Sequence, residues 1–301
     1  MIVYCDLRRR PIFRESFRRS GVKQVSHYRN VAAMWGERTR FARYIPSKCI
    51  YSSPKEKSEN KVIVFDSYTT HGYLNWLCRE YPEKRIILWL WNMVSDPEWL
   101  EKVPPQVEVW TYSRADSANF GLKYNTQFFF DCFAEDARQY RERERTFERK
   151  AAFVGRDKGR TELMYSLADT LEKAGVAVNL HIMPKPQRKP ILLYEKLITY
   201  RKIIEETKEA DILLDYSTDP DAGMSLRPLE ALFYEKKLIT NCKEVLQADF
   251  YDSANIYVLG EDKRQIEEFL SAPINPIDSA VRDRYLLSNW VKRFDTEGIP
   301  L

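Results

Sequence analysis

At 301 residues the chain is long enough for two domains of about 150 residues, each able to bury a core without disulfide or metal staples. It is 44% hydrophobic and 31% charged, which excludes disordered, collagenous and low-complexity chains. The net charge of +4 conceals a basic start: residues 1–55 hold thirteen cations against three acids, so the remainder is net acidic. The longest apolar runs, such as Ile86 to Trp91, fall far short of the roughly 20 residues that span a bilayer. Met1-Ile-Val-Tyr-Cys5, with arginines close behind, does not read as a signal peptide. Five cysteines (Cys5, Cys49, Cys78, Cys132, Cys242) are scattered and never form a CxxC pair. They point to reduced thiols in a cytoplasm and away from zinc or a disulfide framework.

The basic stretch, residues 8–43 in particular, reads as an attractor for a polyanion: an anionic membrane surface, a phosphorylated lipid or a nucleic acid. The competing reading is a solvated basic face without a partner.

Strand-like runs come first at Ile2–Tyr4, Val62–Phe65, Ile86–Leu90, Val107–Trp110 and Gln127–Phe130. After a break they resume at Ala152–Val154, Val176–His181, Ile212–Leu214, Leu238–Thr240 and Ile256–Leu259. They are apolar almost throughout, as expected of parallel strands covered by helices on both faces. Amphipathic stretches lie between them. In Arg160–Ala174 the residues Leu163, Met164, Leu167, Ala168 and Leu171 form one apolar stripe, and Gly175 stops the helix. This alternation predicts α/β architecture with two Rossmann-like domains. The expected boundaries are 1–134, a charged connector at 135–150, 151–276, and a C-terminal helix within 277–301 that packs back on the first domain.

Two constellations carry candidate chemistry. In Phe153-Val-Gly-Arg-Asp-Lys-Gly-Arg160 a strand runs through a glycine turn into a helix. Gly155 permits close approach, and Arg156, Lys158 and Arg160 crowd a helix N-terminus, where cations make sense if an anion binds. The alternative is a set of exposed loop charges. The second runs from Asp211-Ile-Leu-Leu-Asp-Tyr216 through Gly223-Met-Ser-Leu-Arg-Pro-Leu-Glu-Ala231 to Lys237-Leu-Ile-Thr-Asn241. Pro228 suits a helix start. There Ser225 and Arg227 are placed to meet a diphosphate, and Glu230 to accept ribose hydroxyls. Its plainer reading is a cap with a surface ion pair.

The segment Asp211 to Leu259 resembles the C-terminal domain of GT-B glycosyltransferases, especially a group 1-like family of bacterial capsule and lipopolysaccharide biosynthesis loci. Gly223-x-Ser-x-Arg-Pro-Leu-Glu-Ala-Leu, Lys236-Lys-Leu-Ile-Thr-Asn241, Asp249-Phe-Tyr and Asn255-Ile carry the likeness. Val62 to Ser67, Ile86 to Asn92 and Trp110 to Asn125 are similar in style. The resemblance implies two Rossmann-like domains facing across a cleft, with donor binding in the second and acceptor binding in the first. By position it makes Arg156, Arg160 and Arg227 diphosphate contacts and Glu230 the ribose contact. Phage DNA glucosyltransferases show a similar Arg-x3-Arg turn and Leu-Arg-x-x-Glu helix start. Where many group 1 enzymes have the first glutamate of an E-x7-E motif this chain has Ala222, so no stereochemical outcome is assigned.

The expected activity is sugar transfer from a nucleotide-diphosphate donor, a UDP- or GDP-sugar, to a hydroxyl of a capsule or lipopolysaccharide precursor. No metal or other cofactor is expected, and Asp219-Pro-Asp221 reads as turn chemistry. The expected location is cytoplasmic, with peripheral contact at the inner membrane face and a lipid-linked or oligosaccharide acceptor. A general base for an inverting reaction could be His71, Asp96 or Asp66; each has a structural alternative as a helix-start or capping residue. His27 is read as binding an acceptor phosphate or nothing. Two other readings stay open: DNA-base glycosylation, with nucleic acid the less favoured partner, and a non-catalytic nucleotide-binding or scaffold protein.

Overall fold

A computed structural model describes residues 2–5, 11–25, 27–29, 46–53, 60–67, 69–144, 146–183 and 200–296. Arg8, Arg9, Arg10, Arg38, Arg40, Arg43 and Lys55, and with them much of the basic 8–43 stretch, lie outside the described residues. The chain divides into two units, one of residues 1–126, 130–132 and 287–300, the other of 127–129, 133–286 and 301. Each is a Rossmann-like α/β unit built on a parallel sheet.

The first unit holds six strands: β1 (Ile2–Cys5), β2 (Val22–Val25), β3 (Lys61–Phe65), β4 (Arg85–Leu90), β5 (Val107–Thr111) and β6 (Lys123–Tyr124). Their order is β2-β1-β3-β4-β5-β6. Central β3 is buried at every position and β4 at all but its first, which explains their unbroken apolar runs. The helix His71–Glu80 buries Tyr73, Leu74, Trp76 and Leu77 against this sheet. It begins where Thr70 Oγ1 accepts from Tyr73 N at 3.1 Å, a side-chain N-cap. β2 and β6 escape the sequence pattern because Val-Lys-Gln-Val and Lys-Tyr are short edge strands carrying polar side chains.

The second unit holds β7 (Lys150–Arg156), β8 (Ala177–Met183), β9 (Ile212–Asp215), β10 (Lys237–Thr240) and β11 (Ile256–Val258), ordered β11-β10-β9-β7-β8. The helix Thr161–Lys173 buries Met164, Leu167, Ala168 and Leu171, four of the five residues of the expected stripe; Leu163, the fifth, is exposed, one position to the solvent side of Met164. Lys236 and Lys237 from the resemblance run are buried braces. Lys236 Nζ donates to Tyr140 Oη at 2.6 Å and Lys208 O at 3.1 Å; Lys237 Nζ donates to Ala254 O at 3.0 Å and Phe269 O. Burial lowers the Lys237 pKa to about 8.

Three expectations change. Gln127–Phe130 is no strand; all four residues are buried, 127–129 belonging to the second unit and Phe130 to the first. Phe129 stacks on Phe233 at 4.1 Å and its N donates to Tyr285 O at 2.6 Å. Charged residues 135–141 continue a helix, Asp131–Arg141, whose Phe133 and Ala137 are buried. Asp136 accepts from Lys208 Nζ at 2.6 Å and Tyr234 Oη at 2.7 Å, so residues 133–141 join the second unit. The single C-terminal helix is two, Ser279–Arg284 and Leu287–Arg293, broken where Tyr285 O serves Phe129 instead of a helical amide.

The latter helix, as expected, packs on the first unit. Trp290, fully buried, meets Trp89 edge-on at 5.0 Å and Phe294 at 4.6 Å. Arg293 donates to Asn125 Oδ1 at 2.8 Å and Thr126 Oγ1 at 2.6 Å. Trp290→Ala is therefore expected to cost the first unit about 3–5 kcal/mol. Urea unfolding followed by tryptophan fluorescence checks this; a loss below about 1 kcal/mol would remove the helix from that core.

Candidate functional site

In the second sheet β7 is flanked by β9 on one side and β8 on the other, so successive crossovers leave β7 in opposite directions. The ends of β7 and β9 form a topological switch point, where open α/β sheets leave a crevice for ligands. The first constellation overlaps β7, whose last residues are Phe153 to Arg156, so Gly155 sits in the strand and the turn expected there comes at 157–159; β9 ends in Asp215. The fold thus gathers Gly155, Arg156, Lys158, Arg160, Ser225 and Arg227 at this place.

The cations there divide into inner braces and outer heads. Arg160 Nε donates to Arg156 O at 3.1 Å, Nη1 donates to Tyr216 O, and the guanidinium lies 4.8 Å over Phe153. The space that Gly155 vacates is filled by these two side chains: a Cβ there would stand 2.8 Å from Phe153 Cζ and 3.0 Å from Arg160 Nη2. Gly155 thus admits the protein's own arginine, where the sequence suggested ligand approach. Arg227, buried where Arg160 is half-buried, donates from Nη2 to Val154 O at 2.6 Å and pairs through Nη1 with Glu230 Oε2 at 3.1 Å. Arg156 and Lys158 are exposed. Lys158 adopts φ +46° and Gly159 φ +82°, a left-handed turn that costs a non-glycine residue about 1–2 kcal/mol. Desolvation, then repulsion by Arg160 and Arg156, lowers the Lys158 pKa.

Three carboxylates answer them. Asp157, which the sequence reading passed over, caps the helix Thr161–Lys173: its Oδ1 accepts from Gly159 N at 3.1 Å, Thr161 N at 3.3 Å and Thr161 Oγ1 at 2.7 Å. That helix start is already partly neutralised from within. Glu230 is buried with Arg227, beside the Tyr200 phenol; burial and then the Glu230 charge push Tyr200 well above its ordinary pKa. The ion pair is internal where the sequence suggested a surface one. Asp215, also missed, accepts from Ser225 Oγ at 3.2 Å and Thr240 Oγ1 at 3.3 Å. Its sequence signal is a lone carboxylate closing an apolar strand. Asp219 Oδ1 accepts from Asp221 N at 3.0 Å, the turn expected of that triplet.

In the first unit β1 and β3 are the corresponding switch strands, and Asp66 follows β3 directly. Its Oδ2 accepts from Asn92 N and Asn92 Nδ2, both at 3.2 Å, and burial raises its pKa. His71 opens the helix His71–Glu80, its Nε2 donating to Trp99 O at 2.8 Å. Asp96 caps Pro97–Glu101, accepting from Trp99 N at 3.0 Å. His27 is no phosphate ligand. It is fully buried against Tyr73 at 4.8 Å with Nε2 on Thr69 Oγ1 at 3.0 Å, and desolvation lowers its pKa to about 3. A neutral, enclosed imidazole holds no anion.

No family model matches the chain, and no curated protein matches it. Among solved structures, UDP-GlcNAc 2-epimerase from Methanocaldococcus jannaschii aligns over 99% of both chains at 9% identity with a TM-score of 0.42. Among the described residues no helix is long and apolar enough to cross a membrane.

Glu230→Ala leaves a buried guanidinium unpaired and is expected to cost about 3–5 kcal/mol, with Glu230→Gln milder. Equal urea midpoints for wild type and alanine variant would remove the pair from the stability of this unit. His27 gives a pH signature. Its folded pKa lies below the unfolded value, so the unfolded chain binds the extra proton. Its contribution is complete above about pH 6.5 and falls by about 1.4 kcal/mol per pH unit as the pH drops toward about 3. Unfolding free energies at pH 7 and 5 should differ less in His27→Gln than in wild type; an equal slope would assign the acid loss elsewhere.

Proposed function

We propose that this chain moves a sugar from a nucleoside-diphosphate donor to a hydroxyl of a capsule or lipopolysaccharide precursor, as GT-B glycosyltransferases do. The observation that carries the reading is the crowding of Arg156, Lys158 and Arg160 at the switch point of the second sheet. The resemblance of Gly223 to Asn241 supports it independently.

In this reading Arg156, Lys158 and Ser225 touch the diphosphate, while Arg160, Arg227 and Gly155 hold the backbone that presents them. Glu230 meets the ribose, which requires it to share or leave its pairing with Arg227. As the acceptor oxygen attacks the sugar's anomeric carbon, the bond to the β-phosphate oxygen breaks and its electron pair leaves on the diphosphate. Cations fixed beside that growing charge lower the barrier, since they need no reorganisation when it appears. The proton of the acceptor hydroxyl passes to a general base when the reaction inverts. Asp66 suits that role best. It follows β3 at a switch point and burial raises its pKa while the Asn92 amides orient it, whereas His71 and Asp96 lie away from that strand end, bonded to Trp99. The basic 8–43 stretch is assigned to an anionic membrane surface carrying a lipid-linked acceptor.

Two exposed cations can be removed without disturbing the braces. Arg156→Ala with Lys158→Ala is expected to weaken uridine or guanosine diphosphate about a hundredfold or more, at roughly 1.5–3 kcal/mol per charge-assisted contact, and to leave the nucleoside unchanged. Titration calorimetry with both ligands checks it; equal losses would end the phosphate assignment. A screen of nucleotide-sugar donors for hydrolysis then tests turnover.

A further inference from the structure

Among the described residues after β7 and β9, Asp157 bonds the start of a helix and Glu230 pairs with Arg227, whereas Asp215 receives two hydroxyls, those of Ser225 and Thr240. It is buried at the end of β9, and its two hydroxyl contacts, 3.2 and 3.3 Å, are long against about 2.5–2.7 Å for a charge-assisted O–H···O bond. The groups that face it are Arg160 and Lys158 from the turn after β7, Arg227 from the helix Arg227–Tyr234, Ser225 before that helix, Thr240 on β10 and Cys242 beyond it. Burial raises the Asp215 pKa, with Arg227 and Arg160 opposing; burial and then the Asp215 charge push the Cys242 thiol up to about 12, so it stays neutral. The Ser225 hydroxyl is spoken for on both sides: it donates to Asp215 Oδ1 and accepts from Arg227 N at 3.1 Å.

Resting on the donor-site reading above, we propose that Asp215 is the internal counter-anion of the site, and that entry of a diphosphate transfers one proton from solvent to Asp215 and turns the Ser225 hydroxyl toward the ligand. The hydrogen-bond inventory balances. A hydroxyl oxygen has one proton and two lone pairs. With Asp215 ionised, the Ser225 proton is held by the carboxylate. With Asp215 protonated, its O–H donates to Ser225 Oγ, which still accepts from Arg227 N, and the serine proton becomes available to a phosphate oxygen. A second anion beside a buried carboxylate favours its neutral form, so ligand and proton enter together. The linkage has a definite sign. The bound state holds the extra proton, so affinity falls by up to about tenfold per pH unit as the pH rises between the free and bound carboxyl pKa values.

The experiment titrates inorganic pyrophosphate into the full chain between about pH 6 and 8, in buffers of different ionisation enthalpy. Wild type is expected to take up to one proton more per ligand than Asp215→Asn. The asparagine amide, a permanent donor to Ser225, should bind pyrophosphate about tenfold tighter at the alkaline end. Ionisation of the ligand is common to both proteins and cancels; Lys158, whose pKa the Asp215 charge raises, does not, so both proteins are also compared in a Lys158→Arg background, whose guanidinium stays charged. Ser225→Ala should lose about tenfold in either background. Equal proton counts in wild type and Asp215→Asn overturn the inference alone, as does an unaffected Ser225→Ala. Failure of wild type to bind pyrophosphate overturns the donor-site reading and this inference with it. Infrared difference spectra of wild type need no variant: a protonated-carboxyl band should appear on adding pyrophosphate, and its absence refutes the proton transfer.

Discussion

The second unit depends on one buried guanidinium. Arg227 leaves its helix at the first turn, hydrogen-bonds Val154 O near the end of β7, and pairs with Glu230 one turn further along the same helix. A charge in that position is costly unless every direction it faces is answered. Answering it ties together a strand end, a helix start and a carboxylate. Arg160 works similarly across the gap between strands, from Arg156 O at the end of β7 to Tyr216 O after β9. Two of the three arginines that the sequence resemblance assigns to a ligand, Arg160 and Arg227, therefore brace the backbone of the loops around them.

This double use explains why the site is crowded with charge and still folds. Asp157 neutralises the start of one helix, Ser225 accepts the first amide of another, and Glu230 answers Arg227. What faces water is Arg156 and Lys158, the latter in a left-handed conformation that the adjoining Gly159 continues.

The first unit offers a different chemistry at the same topological place. Asp66 emerges from a strand buried at every position and is held by the Asn92 amides, so its orientation is set by the sheet and its basicity by burial. His71 and Asp96, equally visible as titratable residues between a strand and a helix, build the local structure around Trp99. Position relative to the switch point separates them.

Much of this was legible in the sequence. Apolar runs such as Val62–Phe65 and Ile212–Leu214 and the stripe Met164, Leu167, Leu171 are local periodicities, and burial on both faces of a parallel sheet leaves them little freedom to be anything else. The Arg227-to-Glu230 spacing likewise corresponds to an ion pair in the first turn of a helix, and the Gly-Arg-Asp-Lys-Gly-Arg run to the end of β7 and the turn after it. Tertiary structure alone decided the rest. Gln127–Phe130 has a strand's composition but crosses from one unit to the other, and residues 279–293 have a helix's periodicity but break where Tyr285 O is needed by Phe129. Edge strands as polar as Val-Lys-Gln-Val form because a neighbour offers a ladder, and whether an arginine faces a ligand or braces a carbonyl depends on groups up to 73 residues away. Periodicity records what each segment buries; which partner answers a charge is settled only when distant backbone arrives beside it.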